Sequence, residues 1–222
     1  MGQHSDKARQ ALLNAAEELF ARHGIDAVSN RSITEHAGTA NHSAIAYHFG
    51  GRDELIYELL HRHLATMSIR RTELMAELGD EFDLRDIIAC RILPFIEQLD
   101  SLPVPSWRAR FLDQARTVPS VAAVLAEMVI ETEASSFEDV GALMRKSIGD
   151  VSPEVLRARS GIMGQIVLGV CAEYEARLED GFAQGTWADV GYFLIDSTVG
   201  MISAPVTPRD ERFIPPSTPS LV

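Results

Sequence analysis

Glycines at positions 24, 38 and 50–51 cut the first 55 residues into short segments, and within each the apolar residues recur every three or four positions. That spacing puts side chains on one face of an α-helix, whereas a half-buried strand would alternate every second residue. From Asp6 to His23 the apolar stripe is Leu12, Ala16, Leu19 and Phe20, and Gly24 stands where a helix ends in a left-handed residue. Ser29 is an N-cap for a short second helix that turns Ile33 and Ala37 inward and stops at Gly38. The spacing predicts a third helix from Asn41 to Phe49, with Ala44, Ile45 and Phe49 facing in. Gly50-Gly51 then breaks the chain, and Arg52 opens a fourth helix towards Glu77. Three helices of these lengths, the second and third joined by a tight glycine-containing turn, make a helix-turn-helix.

The same periodicity runs through the rest of the chain, so the fold class is all-α, with about nine helices. Leu84–Leu99 is apolar at 88, 92, 95, 96 and 99, with Pro94 inside the pattern as a kink. A loop at 101–105 leads into a short helix from Ser106 to Thr117, and Pro119 starts a long helix to Ile148. Ser152-Pro153-Glu154 supplies a cap, a first-turn proline and a first-turn acid for a helix ending near Asp180; Thr186–Ser203 is the last helix. The organisation expected is a helix-turn-helix domain at 6–51, a second helical domain at 52–204, and a proline-rich tail at 205–222.

Charge divides along the same line. The net charge of −12 separates into −2 over the first 63 residues and −10 over the remainder. An acidic total argues against indiscriminate coating of nucleic acid, but leaves room for a nearly neutral reading face at the N-terminus. All seven histidines lie in that first stretch, yet His61 and His63 are two apart and face different ways, and His36, His42 and His48 sit on separate turns. No metal site is expected. Cys90 and Cys171, far apart and outside any C-x-x-C pair, read as reduced buried thiols. The polar N-terminus shows no signal peptide. The apolar runs 162–172 and 190–204, interrupted by Gln165 and Asp196, are too short to cross a bilayer, so a cytoplasmic protein without membrane association is expected. No P-loop, nucleophile elbow or paired catalytic carboxylates is apparent, and neither enzyme activity nor a cofactor is expected.

Ile33-Thr34-Glu35-His36-Ala37-Gly38, followed by Tyr47-His48-Phe49-Gly50-Gly51-Arg52-Asp53-Glu54-Leu55, resembles the N-terminal domain of the tetracycline-repressor (TetR) family. The resemblance covers residues 8–60. It implies a homodimeric repressor that binds a palindromic operator in double-stranded DNA and is released by a small-molecule effector. On the residues themselves, Thr39, Ala40, Asn41, His42, Ser43, Ala46 and Tyr47 remain outside once the apolar set points in. Asn41 can read adenine, and His42 or Ser43 can donate to guanine. Tyr47, His48 and Arg52 would reach phosphates, and Ser29 at its helix start is a further phosphate seat. The family's usual phosphate-binding tyrosine falls at Ala46, with Tyr47 beside it. The turn is one residue longer than the common pattern, which leaves open which of residues 39–42 enters the groove.

In the C-terminal part, Gly161, Gly164, Gly169, Gly191, Ser197 and Gly200 suit close helix–helix approach, and the resemblance makes the last two helices the dimer interface. It also implies an effector pocket, with Phe95, Trp107, Phe111, Met128 and Met163 as walls and Arg108 or Arg110 to meet an anion. The alternative reading is a helical protein-interaction module without DNA binding.

Overall fold

The computed structural model describes residues 3–39, 41–79, 81–129 and 151–206. Among these the chain is helical, with no strand: α1 (Gln3–His23), α2 (Asn30–His36), α3 (Ala44–Phe49), α4 (Arg52–Glu77), α5 (Leu84–Asp100), α6 (Arg108–Thr117), α7 (described over Pro119–Val129), α8 (Pro153–Glu179) and α9 (Trp187–Ser203). The predicted course of the long helix beyond residue 129 and most of the proline-rich tail lie outside the described residues.

Local chemistry fixes most of the boundaries. Ser152 caps α8 with Pro153 in the first turn, and α5 and α9 each begin with a reciprocal capping box, Asp83 with Asp86 and Thr186 with Asp189. Helix α5 runs on through a buried Pro94. Two starts come later than the spacing suggested: α6 begins at Arg108 rather than Ser106, and α3 at Ala44 rather than Asn41.

The three N-terminal helices are not an isolated body. Helix α1 packs on α2 and α4 and also on α6, where Phe20 and Phe111, both fully buried, stack with ring centroids 6.1 Å apart. Helix α3 leans on the start of α4, α4 crosses α5, and α5, α9, α8 and α6 close the larger layer. One apolar core therefore runs from Leu12 on α1 to Ile202 on α9, so a displacement of α4 or α6 is transmitted to α1 without a flexible joint.

Counting uninterrupted apolar runs understated α8. Taken as a whole its 27 residues are long and apolar enough to cross a membrane, because the average tolerates Gln165 where a run count stops. Part of that apolarity packs on α6 and α9, and part faces outward at Ile162 and Ile166.

Candidate nucleic-acid interface

Helix α2 starts at Ser29, whose backbone is extended and whose Oγ accepts a hydrogen bond from the Ser32 N–H at 3.0 Å. It ends in a Schellman arrangement: Gly38 at φ +71° donates to Glu35 O, and Thr39 N–H reaches back to Thr34 O at 3.0 Å. Glycine is needed at 38 because a side chain would strain that left-handed turn.

The residues expected to begin the recognition helix form its entrance instead. Asn41 N–H donates to Thr39 Oγ1 at 3.3 Å, Asn41 Oδ1 accepts from Ser43 N–H at 3.0 Å, and Asn41 O accepts from Ala44 N–H at 3.0 Å. Such an Asx turn satisfies donors that helical hydrogen bonding leaves open and holds 41–43 out of the helix. Asn41, His42 and Ser43 are exposed, and Thr39 is half-buried. The Asn41 carboxamide thus presents its N–H2 outward while its oxygen already holds the turn, which weakens the two-point adenine contact expected for it.

Helix α3 buries Ala44 and Ile45 and leaves Ala46 and Tyr47 outside, Tyr47 being 77% exposed. His48 is half-buried with its ring edge-on to Tyr47 at 4.9 Å, and Gly50 at φ +92° ends the helix. Ser29 stands at the start of α2, and Tyr47 and His48 lie in the last turn of α3.

Arg52 departs from expectation. Its guanidinium donates to Ile25 O at 2.6 Å and to Asn30 Oδ1 at 3.2 Å, and lies over the Phe20 ring at 5.0 Å. Burial pushes its pKa down from the usual arginine value. This side chain ties the start of α4 to the α1–α2 turn, with two of its five N–H donors engaged inside the domain. By contrast Arg31, which the sequence reading passed over, projects from the first turn of α2 and, among the described residues, pairs with Glu35 on the same helix, at 2.7 Å.

Residues 12–59 match the sequence model for bacterial regulatory proteins of the tetR family. Over that stretch the chain is similar to the amino-terminal domain of the TetR family. The whole chain also shares the TetR-like fold. A TetR family transcription regulator from Marinobacter aquaeolei VT8 superposes with a TM-score of 0.62 at 16% identity, covering 90% of this chain and 98% of that one. A transcriptional regulator from Rhodococcus sp. Rha1 superposes with a TM-score of 0.54 at 21% identity, covering 90% and 99%. No curated protein matches the chain at significant similarity. The fold is the one these TetR-family regulators share.

The expected effector-pocket residues do not gather in one place. Phe95 and Met163 line a cavity of about 210 Å³ bordered by α4, α5, α6, α7 and α8. Trp107 and Arg108 line a different cleft, of about 470 Å³, between α1 and the loop before α6. There Trp107 lies between the guanidinium groups of Arg22 and Arg110, at 4.2 and 4.5 Å from its ring centre. Phe111 is core, against Phe20, and Met128 is buried in the core without lining the cavity. The reason is the packing of α6: its first turns face α1, and only Leu112 reaches the cavity. Nor is Arg110 open to an anion. It is held by Glu175 at 3.3 Å and Glu179 at 2.7 Å, and the buried Glu175 also accepts from the N–H groups of Ala109 and Arg110 at the α6 N-terminus.

What the sequence reading missed is the polar content of the interior. Arg71 and Arg91 line the 210 Å³ cavity with Ser160. Their signal was positional: Arg71 continues the Leu64, Met67 stripe of α4, and Arg91 precedes Phe95 by one turn on α5. At the α1–α4–α6 junction, the fully buried His63 has Nε2 3.0 Å from Glu17 Oε1, and Arg108 Nε is 3.6 Å from the same oxygen. His63 belonged to no predicted metal or DNA site, and a lone histidine in sequence gives no hint that a glutamate 46 residues earlier meets it. Among the described residues no cluster of histidine, cysteine and carboxylate side chains is arranged to hold a metal ion.

Proposed function

We propose that the protein is a cytoplasmic homodimeric repressor that grips a palindromic operator through α2, α3 and the turn between them, and is released by a small-molecule effector. The domain arrangement corresponds: 6–51 reads DNA, and 52–204 binds effector and dimerises. The observation that carries the reading is the single rod of α4, which starts against the helix-turn-helix and ends along a mostly apolar cavity. In this reading Asn41, His42, Ser43 and Thr39 face the major groove, and Ser29, Tyr47 and His48 clamp phosphates, with Arg31 beside them. Arg52 contributes by holding α4 against the domain.

Two copies are required because one recognition helix reads only a half-site, and half-sites recur about 34–36 Å apart. The outer faces of α8 and α9 supply the means. Ile162, Ile166, Tyr192 and Phe193 are exposed there, and Gly161 and Gly200 have no neighbouring atom where a side chain would stand. Exposed apolar surface of this kind marks an interface, and glycines let two helices approach closely. Gly191 is different, since Ile96 lies 3.3 Å from where its Cβ would be, so that glycine serves packing of α9 on α5 within one copy.

Footprinting of the purified protein on the DNA flanking its own gene tests the reading. A protected palindrome, lost with rising salt, is expected. Protection of no discrete sequence would remove DNA reading and favour a protein-interaction module.

A further inference from the structure

A row of charged side chains crosses the seam between the helix-turn-helix and the larger layer. On α2, His36 Nε2 lies 3.0 Å from Glu18 Oε2 of α1, and the other Glu18 oxygen accepts from Arg22 Nε at 3.2 Å. Arg22 also reaches across the seam, donating to Glu179 Oε1 on α8 at 2.9 Å. The second Glu179 oxygen accepts from Arg110 of α6 at 2.7 Å, and Arg110 is held as well by Glu175, one turn back on α8. The Trp107 ring lies between the Arg22 and Arg110 guanidinium groups. Granted the reading of the protein as a dimeric DNA-binding regulator, we infer that Arg22, Glu179 and Trp107 form a clasp that sets the orientation of the helix-turn-helix on α8. Arg22 and Glu179 are then positioning residues for DNA reading.

Apolar packing fixes this orientation less sharply than charge does. The stack of Phe20 on Phe111 holds α1 against α6, but burial of hydrocarbon is non-directional and permits small rolls about that contact. A guanidinium is directional. Its planar fork fixes where each acid must stand, and its face fixes where an indole can lie. Arg22 uses both: Glu18 on its own helix and Glu179 across the seam meet its edges, and Trp107 lies under its face.

The location gives the clasp its leverage. Glu179 ends α8, the helix whose outer face meets a second copy in the proposed dimer. Each reading head is therefore referred to the dimer axis directly through Arg22, by a shorter route than the rod of α4. Helix α6 carries both Arg110 and Leu112, and Leu112 lines the cavity bordered by α4 and α8. A ligand that shifts α6 there shifts one arm of the clasp.

Accessibility decides between a part that holds the fold and a part that holds an orientation. The Arg22 and Glu179 side chains are 42% and 23% exposed. Ion pairs this accessible add little to net stability and are screened by salt. Variants of the clasp should accordingly fold, while the head they release turns more freely.

Two measurements on the purified full chain test this. Both compare Glu179→Gln, whose amide offers one acceptor where two arginines need two, with Glu173→Gln. The latter removes the same charge from the same helix and breaks the intrahelical pair with Arg177. The first measurement uses no DNA. With Trp187→Phe as background, Trp107 is the one tryptophan. Acrylamide quenching of its fluorescence should rise about twofold in Glu179→Gln, as local opening admits the quencher, and stay unchanged in Glu173→Gln. The second uses the protected operator with the spacer between half-sites lengthened or shortened by one base pair. The wild type and Glu173→Gln should lose roughly tenfold or more in affinity on both respaced operators, since rigid heads read a fixed spacing. Glu179→Gln and Arg22→Met should lose severalfold less, with urea midpoints unchanged, and Arg22→Lys should regain part of the discrimination. Equal Trp107 quenching in the two glutamine variants, discrimination in Glu179→Gln as steep as in the wild type, or an equal loss at every spacing overturns the inference. Raised quenching without any discrete protected operator upholds the clasp as a joint and refutes DNA reading instead.

Discussion

Acid should weaken this protein through one side chain, His63. Its imidazole is fully buried where α1, α4 and α6 meet, with Nε2 3.0 Å from Glu17 Oε1 and the Phe111 ring edge-on at 6.0 Å. Burial, the largest influence, pushes its pKa below the usual 6.5; Glu17 opposes this, while Arg108 and Arg62 push it further down. The folded imidazole is therefore neutral near pH 7, whereas the unfolded chain takes up a proton as pH falls through about 6.5. Over that window the unfolded state takes up more protons than the folded one, so stability must fall. For one such site the loss between pH 6.5 and 5.5 is at most about 1 kcal/mol, and the slope never exceeds about 1.36 kcal/mol per pH unit. With a urea dependence of about 2.5 kcal/mol per M, the unfolding midpoint drops by at most about 0.4 M. Glu17 behaves with a different window. Burial raises its pKa, but His63 and the arginines outweigh this and hold it below 4.5, so its contribution is present above that value and lost only at lower pH. Urea unfolding at fixed protein concentration, from pH 7.5 to 5, on the wild type and His63→Gln separates the two, since the variant should lose the drop between 6.5 and 5.5. A wild type that gains stability on acidification, or a variant with the same pH slope, refutes the reasoning.

Arg52→Ala removes the hydrogen bonds to Ile25 O and Asn30 Oδ1 and the contact over Phe20, and should cost about 1–3 kcal/mol in urea unfolding. The salt slope of operator binding should change by less than one unit; a stable variant whose slope falls by a full unit would make Arg52 a phosphate contact after all. Tyr192→Lys together with Phe193→Lys places charges on a face now 57% and 59% exposed, and should convert the dimer to a monomer in analytical sedimentation with loss of palindrome binding. Thr186→Val breaks the reciprocal cap with Asp189 and should lower stability by about 1 kcal/mol without affecting DNA binding.

The helices and their order were legible in the sequence because they are written in local signals. Apolar spacing marked the buried sides of α1, α2 and α3, and Ser29, Ser152 and Thr186 marked helix starts by satisfying backbone donors within three residues. The TetR-type domain was legible for the same reason, since its motif lies within one short stretch. The error at α3 was also local: Asn41 fits an apolar helical spacing and an Asx turn equally well, and the hydrogen bonds to Ser43 and Thr39 favour the turn. Which arginine serves which purpose was not legible. Arg52, Arg71, Arg91, Arg108 and Arg110 are chemically identical in sequence, and what separates them is the surface each meets: the α1–α2 turn, the cavity, Glu17 and Glu175. Those meetings span tens of residues and depend on how α6 rolls against α1, which turned Trp107 and Phe111 away from the cavity they were expected to line. The sequence alone determined an all-helical chain with a TetR-like helix-turn-helix at one end, because hydrogen bonding and helical periodicity act over a few residues. Only the tertiary structure decided where the charged groups are buried and what they face, because burial and pairing are properties of the packed whole.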